Sequence, residues 1–311
     1  MSILIKYVDE ELTPSDDQRK FIKSKIKSIK KVLTKNSHIK PKEIHLGGSL
    51  AKGTILEYDL DVDLVFIYNR SEEVENNWRE LVTIVYKVLK NSFPEFEVEE
   101  AGNLAIHIKT SLDGFPVNFD IVPCYYVNSP EMMKKHTGSK LHIPITTIWD
   151  TRYLVRYKNY THFTRVVRLL KDWKKEQDVP SLKSIHLELI AADVYDNGID
   201  DIDSINEDDI DDVLMLCFEN ILDTLDGYPV IPSRWKYCNE NDYEERYDSP
   251  VIIDPANPSD NLMDNLEPDI KETRKKIKKK IKITMENLRQ GNYTDIFNRK
   301  GLTDFFDRFN H

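Results

Sequence analysis

From Gly47 to Tyr68 the chain reads Gly-Gly-Ser-Leu-Ala-Lys-Gly-Thr-Ile-Leu-Glu-Tyr-Asp-Leu-Asp-Val-Asp-Leu-Val-Phe-Ile-Tyr. A glycine turn is followed, after a short spacer, by aspartates that alternate with apolar residues and open an apolar run. That alternation reads as a strand, on which residues two apart point to the same face. Asp61 and Asp63 therefore project together, while Asp59, nearer the turn, reads as a loop acid. Gly48 permits close approach of backbone to phosphate, and Ser49 begins a short helix with its N–H groups free. The Ser49 hydroxyl can also donate to a phosphate oxygen. Phosphoryl transfer needs both parts close together: N–H groups for a triphosphate and a carboxylate cluster for two divalent metals.

The flanking sequence supplies a sheet for this strand. Pro14 to Lys35 reads as a long helix, with Ser15 as N-cap, Asp16 and Asp17 in the first turn, and an apolar stripe of Phe21, Ile22, Ile26, Ile29, Val32 and Leu33. Residues 43–46 and 60–68 read as strands, 71–91 as a helix, and 96–100, 105–109 and 115–123 as three further strands. Asp113-Gly114 between the last two is a hairpin signal. The pattern predicts a mixed sheet of about five strands in an α+β first lobe. After about residue 150 the character changes, and 161–177, 181–195, 210–225 and 266–289 all read as helices. We expect a sheet lobe carrying the N-terminal long helix over 1–155, followed by a helical lobe over 156–311.

Bulk properties exclude several classes. With 311 residues the chain can form one large domain or two ordinary ones. Apolar content of 40% and charged content of 32% fit a soluble globular protein. No apolar run approaches the roughly 18 residues of a membrane span, and the apolar part of the N-terminus is too short for a signal peptide. Cys124, Cys217 and Cys238 are scattered, which suggests a reducing compartment and argues against a disulfide framework or a cysteine zinc site. A net charge of -10 argues against a protein coated in nucleic acid but leaves room for a local basic groove. Two charge-biased segments stand apart: 196–212, which carries nine acids and reads as a solvated loop, and the basic stretch Lys271–Lys282 within a helical pattern.

Asp120 sits in Val117-Asn118-Phe119-Asp120-Ile121-Val122-Pro123, flanked by apolar residues on a strand where an unpaired carboxylate is costly. A neighbouring strand bearing Asp61 and Asp63, with bound Mg²⁺, accounts for it. Lys171 in Arg168-Leu169-Leu170-Lys171 and Ser184 in Leu182-Lys183-Ser184-Ile185 read, taken alone, as solvated helix residues. The histidines, His186 included, show no metal-ligand spacing and read as structural or surface groups.

With these residues in view, the chain resembles the polymerase-β-like nucleotidyltransferases. Within them it is most similar to the branch of 2′-5′ oligoadenylate synthases and bacterial CD-NTases, relatives of cyclic GMP-AMP synthase. Gly48-Ser49, Lys52-Gly53-Thr54 and the Asp61/Asp63 pair match that branch in order and spacing, and Asp120 with Val122-Pro123 matches its third-carboxylate strand. The Arg168–Lys171 helix resembles the one that brings a lysine to the triphosphate, and Ser184 falls at a nucleotide-contacting position. Asp254-Pro255-Ala256-Asn257-Pro258-Ser259-Asp260-Asn261 resembles a late signature of the branch. Ile185 departs from it, lying near where relatives often place a base-stacking aromatic, for which Tyr125 or Tyr126 is a substitute.

The resemblance implies a bilobal fold and a template-independent nucleotidyltransferase. Two Mg²⁺ ions, with Mn²⁺ as a substitute, are expected on Asp61, Asp63 and Asp120. The triphosphate is expected on Gly48, Ser49 and Lys52, with Lys171 over its far phosphates. The implied product is a cyclic di- or oligonucleotide second messenger made from NTPs in the cytoplasm, reaching an antiviral effector through the product rather than by stable contact. Three alternatives stand beside it. One is a linear 2′-5′ oligoadenylate synthase gated by double-stranded RNA on the basic helix Arg19–Lys35, and another is a tRNA nucleotidyltransferase. The third is an inactive nucleotide-binding scaffold. A nucleic-acid activator is not favoured, and no membrane partner is expected.

Overall fold

The computed structural model describes residues 2–35, 40–68, 78–101, 105–125, 142–199, 205–206, 208–235, 245–264, 270–297 and 305. In chain order the elements are α1 (Ile3–Tyr7), α2 (Asp16–Lys35), β1 (Glu43–Leu46), α3 (Gly48–Lys52), β2 (Leu60–Tyr68), α4 (Trp78–Ser92), β3 (Glu97–Ala101), β4 (Ala105–Leu112), β5 (Phe115–Tyr125), α5 (His142–Leu154), α6 (Phe163–Glu176), α7 (Ser184–Asp193), α8 (Ile210–Leu225), α9 (Ile270–Gln290) and α10 (Tyr293–Ile296). Residues 71–77 of the helix expected over 71–91, Tyr126 and Cys238 lie outside the described residues.

Local signals place most of these ends. Ser15 caps α2 reciprocally: its Oγ accepts from Gln18 N–H at 3.2 Å while Gln18 Oε1 accepts from Ser15 N–H at 2.8 Å. Asp113 and Gly114 take φ of 50° and 87°, and Leu112 pairs with Phe115 across them. Two consecutive positive φ values make the tight hairpin expected there. Helix α5 is not anticipated by the sequence pattern. Its Pro144 and β-branched Ile143, Ile145, Thr146 and Thr147 disfavour a helix, yet proline in a first turn forfeits no intrahelical bond.

The chain divides into two compact units, residues 13–155 and residues 1–12 with 156–311. The first holds a five-stranded mixed sheet in the order β1-β2-β5-β4-β3. Strands β2 and β5 run parallel, and every other pair is antiparallel. One face of the central strands is apolar and buried: Leu60, Val62 and Leu64 on β2, Val117, Phe119 and Ile121 on β5, Ile106 and Ile108 on β4. The alternate positions, Asp61, Asp63, Asn118, Asp120 and His107, keep partial exposure. Helix α4 packs against β3 and β4, while α3 packs on β2 and α5 on β5.

The second unit is helical. Trp173 on α6 is fully buried, donates from Nε1 to Thr284 Oγ1 at 2.8 Å, and meets Phe218 edge-on at 4.9 Å. The first twelve residues, expected with the sheet, group here instead. The reason lies in α1: Leu4, Ile5 and Tyr7 are buried, Tyr7 donates to Asp172 Oδ2 at 2.6 Å, and its ring lies against Phe297 and Phe305. No helix among the described residues is long and apolar enough to cross a membrane.

Candidate active site

The glycine turn joins β1 to α3 and is pinned to the strand that follows. Gly47 N–H donates to the Asp63 carbonyl at 2.9 Å. Gly48 has φ of +58°, and a Cβ built on it would fall 1.6 Å from Asp63 Oδ2. Only glycine fits, because the backbone lies where a side chain would strike the carboxylate. Gly48 N–H donates to the Thr151 hydroxyl on α5 at 3.2 Å, so the helix that the sequence hid also holds the turn. Gly53, at φ of 74°, ends α3, and Thr54 N–H closes back on the Ser49 carbonyl at 2.9 Å. Ser49 is half-buried, whereas Lys52 is buried at 8% exposure.

The carboxylates stand in two polar rows across the sheet. Register pairs Asp63 with Asp120 across β2 and β5, and Asp120 with His107 across β5 and β4. Two residues away, Asp61 pairs with Asn118 and Asn118 with Lys109. His107 Nδ1 is hydrogen-bonded to Asp120 Oδ1, and Asn118 Nδ2 donates to Asp61 Oδ1 at 2.7 Å. Lys109 turns the other way, 2.8 Å from Glu99 and 3.3 Å from Glu97 on β3. Its ammonium holds the Glu99 carboxyl below the usual carboxylate range. Asp120 is not the isolated carboxylate among apolar residues that its flanking sequence suggests. Phe119 and Ile121 point to the opposite, buried face, and the Asp120 side chain keeps 33% exposure. Asp59 is exposed in the loop before β2, as expected.

His107, Asn118 and Thr151 are the residues that sequence reasoning missed. Period-two alternation could have put His107 and Asn118 on the polar face of their strands. Only register assigns them to Asp120 and Asp61.

Within the helical unit, Lys171 is not a solvated residue. Its Nζ lies 2.9 Å from Glu188 Oε1, and the two side chains are 7% and 2% exposed. Ser184 is exposed at the start of α7. His186 is buried, accepts from Lys183 N–H on Nδ1 at 3.2 Å and donates from Nε2 to the Leu262 carbonyl at 3.1 Å. Burial lowers its pKa to about 4, so it is neutral. The late signature folds on itself. Asp254 Oδ1 accepts from Ala256 N–H, and Asn261 Oδ1 accepts from Ile252 and Met263 N–H. Asp254 and Asn257 are buried at 2% and 0% exposure, which makes the motif a loop staple.

Among the described residues no group of three or more histidine, cysteine, aspartate or glutamate side chains is placed to hold a metal ion. The donor chemistry nevertheless suits hard divalent cations, which take carboxylate oxygens. Asp61, Asp63 and Asp120 share one accessible face on adjacent strands.

A model of the nucleotidyltransferase domain matches residues 26–141. The cyclic AMP-AMP-AMP synthase of Escherichia coli strain MS 115-1 is 27% identical over 265 residues, covering 80% of this chain and 77% of that protein. The CBASS oligonucleotide cyclase CdnC of Escherichia coli strain KTE188 is 28% identical over 218 residues, covering 63% of this chain and 66% of that protein. The solved structure of Escherichia coli MS115-1 CdnC with ATP superposes with a TM-score of 0.68 at 21% identity, covering 96% of this chain and 97% of that one. Residues 26–141 thus match a nucleotidyltransferase domain, the chain is homologous to these synthases, and it shares the fold of CdnC.

Proposed function

We propose that this nucleotidyltransferase joins nucleoside triphosphates without a template into cyclic di- or oligonucleotides, acting in the cytoplasm in anti-phage defence. The observation that carries the reading is the register of Asp63 with Asp120, with Asp61 two residues away on the same face and the Gly48 backbone against Asp63. The homology to oligonucleotide cyclases supports the same product class.

In this reading the Ser49 N–H and hydroxyl take the triphosphate oxygens, while Gly48, whose N–H is held by Thr151, lets the backbone approach them. Asp61, Asp63 and Asp120 would hold two Mg²⁺ ions. When bound, such ions sharpen the attacking hydroxyl and neutralise charge on the leaving group. A ribose hydroxyl of the acceptor nucleotide forms the new O–P bond at the α-phosphate, the bond to the β-phosphate breaks, and pyrophosphate leaves. Asp120 takes the hydroxyl proton. Re-entry of the linear product and a second transfer closes the ring. Lys52 is proposed as a further nucleotide contact beside the turn. Lys171 and Ser184 are the helical unit's proposed nucleotide contacts. For Lys171 this role requires the ammonium to be shared between Glu188 and phosphate.

The test is incubation with four NTPs and Mg²⁺ or Mn²⁺, with and without double-stranded RNA, followed by phosphatase treatment and mass spectrometry. A phosphatase-resistant product that is lost in Asp61→Ala/Asp63→Ala is expected without RNA. Linear product made only with RNA would move the assignment to a gated oligoadenylate synthase.

A further inference from the structure

We propose that His107 and Asn118 are positioning residues for the divalent cations, each holding one carboxylate oxygen so that the other faces the metals. The inference rests on reading the three aspartates as a two-metal centre. Strand register fixes both contacts. His107 stands directly opposite Asp120 on antiparallel β4, and Asn118 stands opposite Asp61 on β5. In each pair the Oδ1 is taken by a nitrogen donor, His107 Nδ1 or Asn118 Nδ2. An ionised carboxylate only accepts, so His107 Nδ1 carries the proton of its bond. One oxygen of each carboxylate is oriented and the second is left for a ligand. This is the arrangement by which outer groups orient metal ligands.

The choice of donors supports the assignment. A lysine touching Asp61 would compete with a divalent cation for the carboxylate. Row neighbour Lys109 is such a group, and its ammonium is drawn instead to Glu97 and Glu99 on the edge strand. Asn118, which carries no charge, is what reaches Asp61. Stability alone gives these bonds little reason to exist. The His107 and Asp120 side chains are 39% and 33% exposed, and polar pairs at such exposure contribute little.

The experiment titrates Mn²⁺ into the protein alone, reading the free-ion EPR signal, and then measures transfer against Mn²⁺ and against NTP. His107→Ala should weaken Mn²⁺ binding by about 10–100-fold, raising KM for the metal with KM for the nucleotide little changed. Asn118→Ala should act in the same direction through Asp61. His107→Asn, which offers an N–H near the place of Nδ1, should recover most of the affinity. Wild-type Mn²⁺ affinity in both alanine variants would overturn the inference. So would a His107→Asn variant that melts like wild type yet binds no better than His107→Ala. Wild-type binding that persists in Asp61→Ala/Asp63→Ala would sink the two-metal reading itself, and this inference with it.

Discussion

The two units of the chain treat charge in opposite ways. On the open face of the sheet, Asp63 and Asp120 face each other on adjacent strands with Asp61 beside them; Asp120 is bonded by His107 and Asp61 by Asn118. Like charges directly opposite on neighbouring strands destabilise a sheet. In the helical unit, ionisable groups go inside and are partnered in place. Lys171 meets Glu188 at 2.9 Å, Asp172 at 0% exposure takes the Tyr7 hydroxyl at 2.6 Å, and His186 is buried neutral. The carboxylates grouped on one open face are placed to take a ligand, and the buried pairs hold a fold. Substitution should therefore separate activity from stability between the two regions.

The largest effect belongs to the sheet. Asp61→Ala/Asp63→Ala should lower product formation by at least about 10³-fold while the melting temperature holds or rises, since repulsion is relieved. Unfolding of that variant would break the contrast. Next comes the helical unit. Glu188→Gln leaves a buried ammonium without its counter-charge and should cost about 3–5 kcal/mol of stability in denaturant unfolding. Replacing both partners, as in Lys171→Met/Glu188→Leu, should restore most of it. That restored variant also isolates the nucleotide role of Lys171, because a raised KM for NTP could no longer be blamed on instability. Gly48→Ala is smaller. Its Cβ would meet Asp63 Oδ2 at 1.6 Å on a backbone with φ of +58°, so the carboxylate must move. Transfer should drop about 10²-fold, with a stability loss of about 1–2 kcal/mol.

The parts legible in the sequence are those encoded within one segment. Asp61 and Asp63 share a face because the strand period is two, Ser15 caps the helix it precedes, and Asp113-Gly114 fixes its own turn. What stayed hidden depends on partners far along the chain. Asn118 reaches Asp61 across 57 residues and Thr151 reaches Gly48 across 103, and no local pattern specifies either. Lys171 looks solvated because its helix is basic. Its partner Glu188 sits in an otherwise apolar run on α7 and could not be assigned to it without the fold. Helix α1 is too short to declare its unit, and Tyr7 joins Asp172 across 165 residues.

The smallest effect concerns pH and again divides the units. Burial holds the folded His186 near 4, whereas an unfolded histidine titrates near 6.5. Below 6.5 the unfolded chain binds a proton that the folded chain refuses. The stability from His186 is therefore fully present above 6.5 and is lost as pH falls towards 4, by up to about 1.4 kcal/mol per pH unit. His186→Gln keeps a donor for the Leu262 carbonyl and removes the titration. Denaturant unfolding between pH 7 and 4.5 should show a shallower decline in that variant, with transfer activity at pH 7.5 unchanged. A decline as steep as wild type would mean that His186 is solvated in the folded chain, and that the helical unit does not exclude water from its charges as the sheet face admits it.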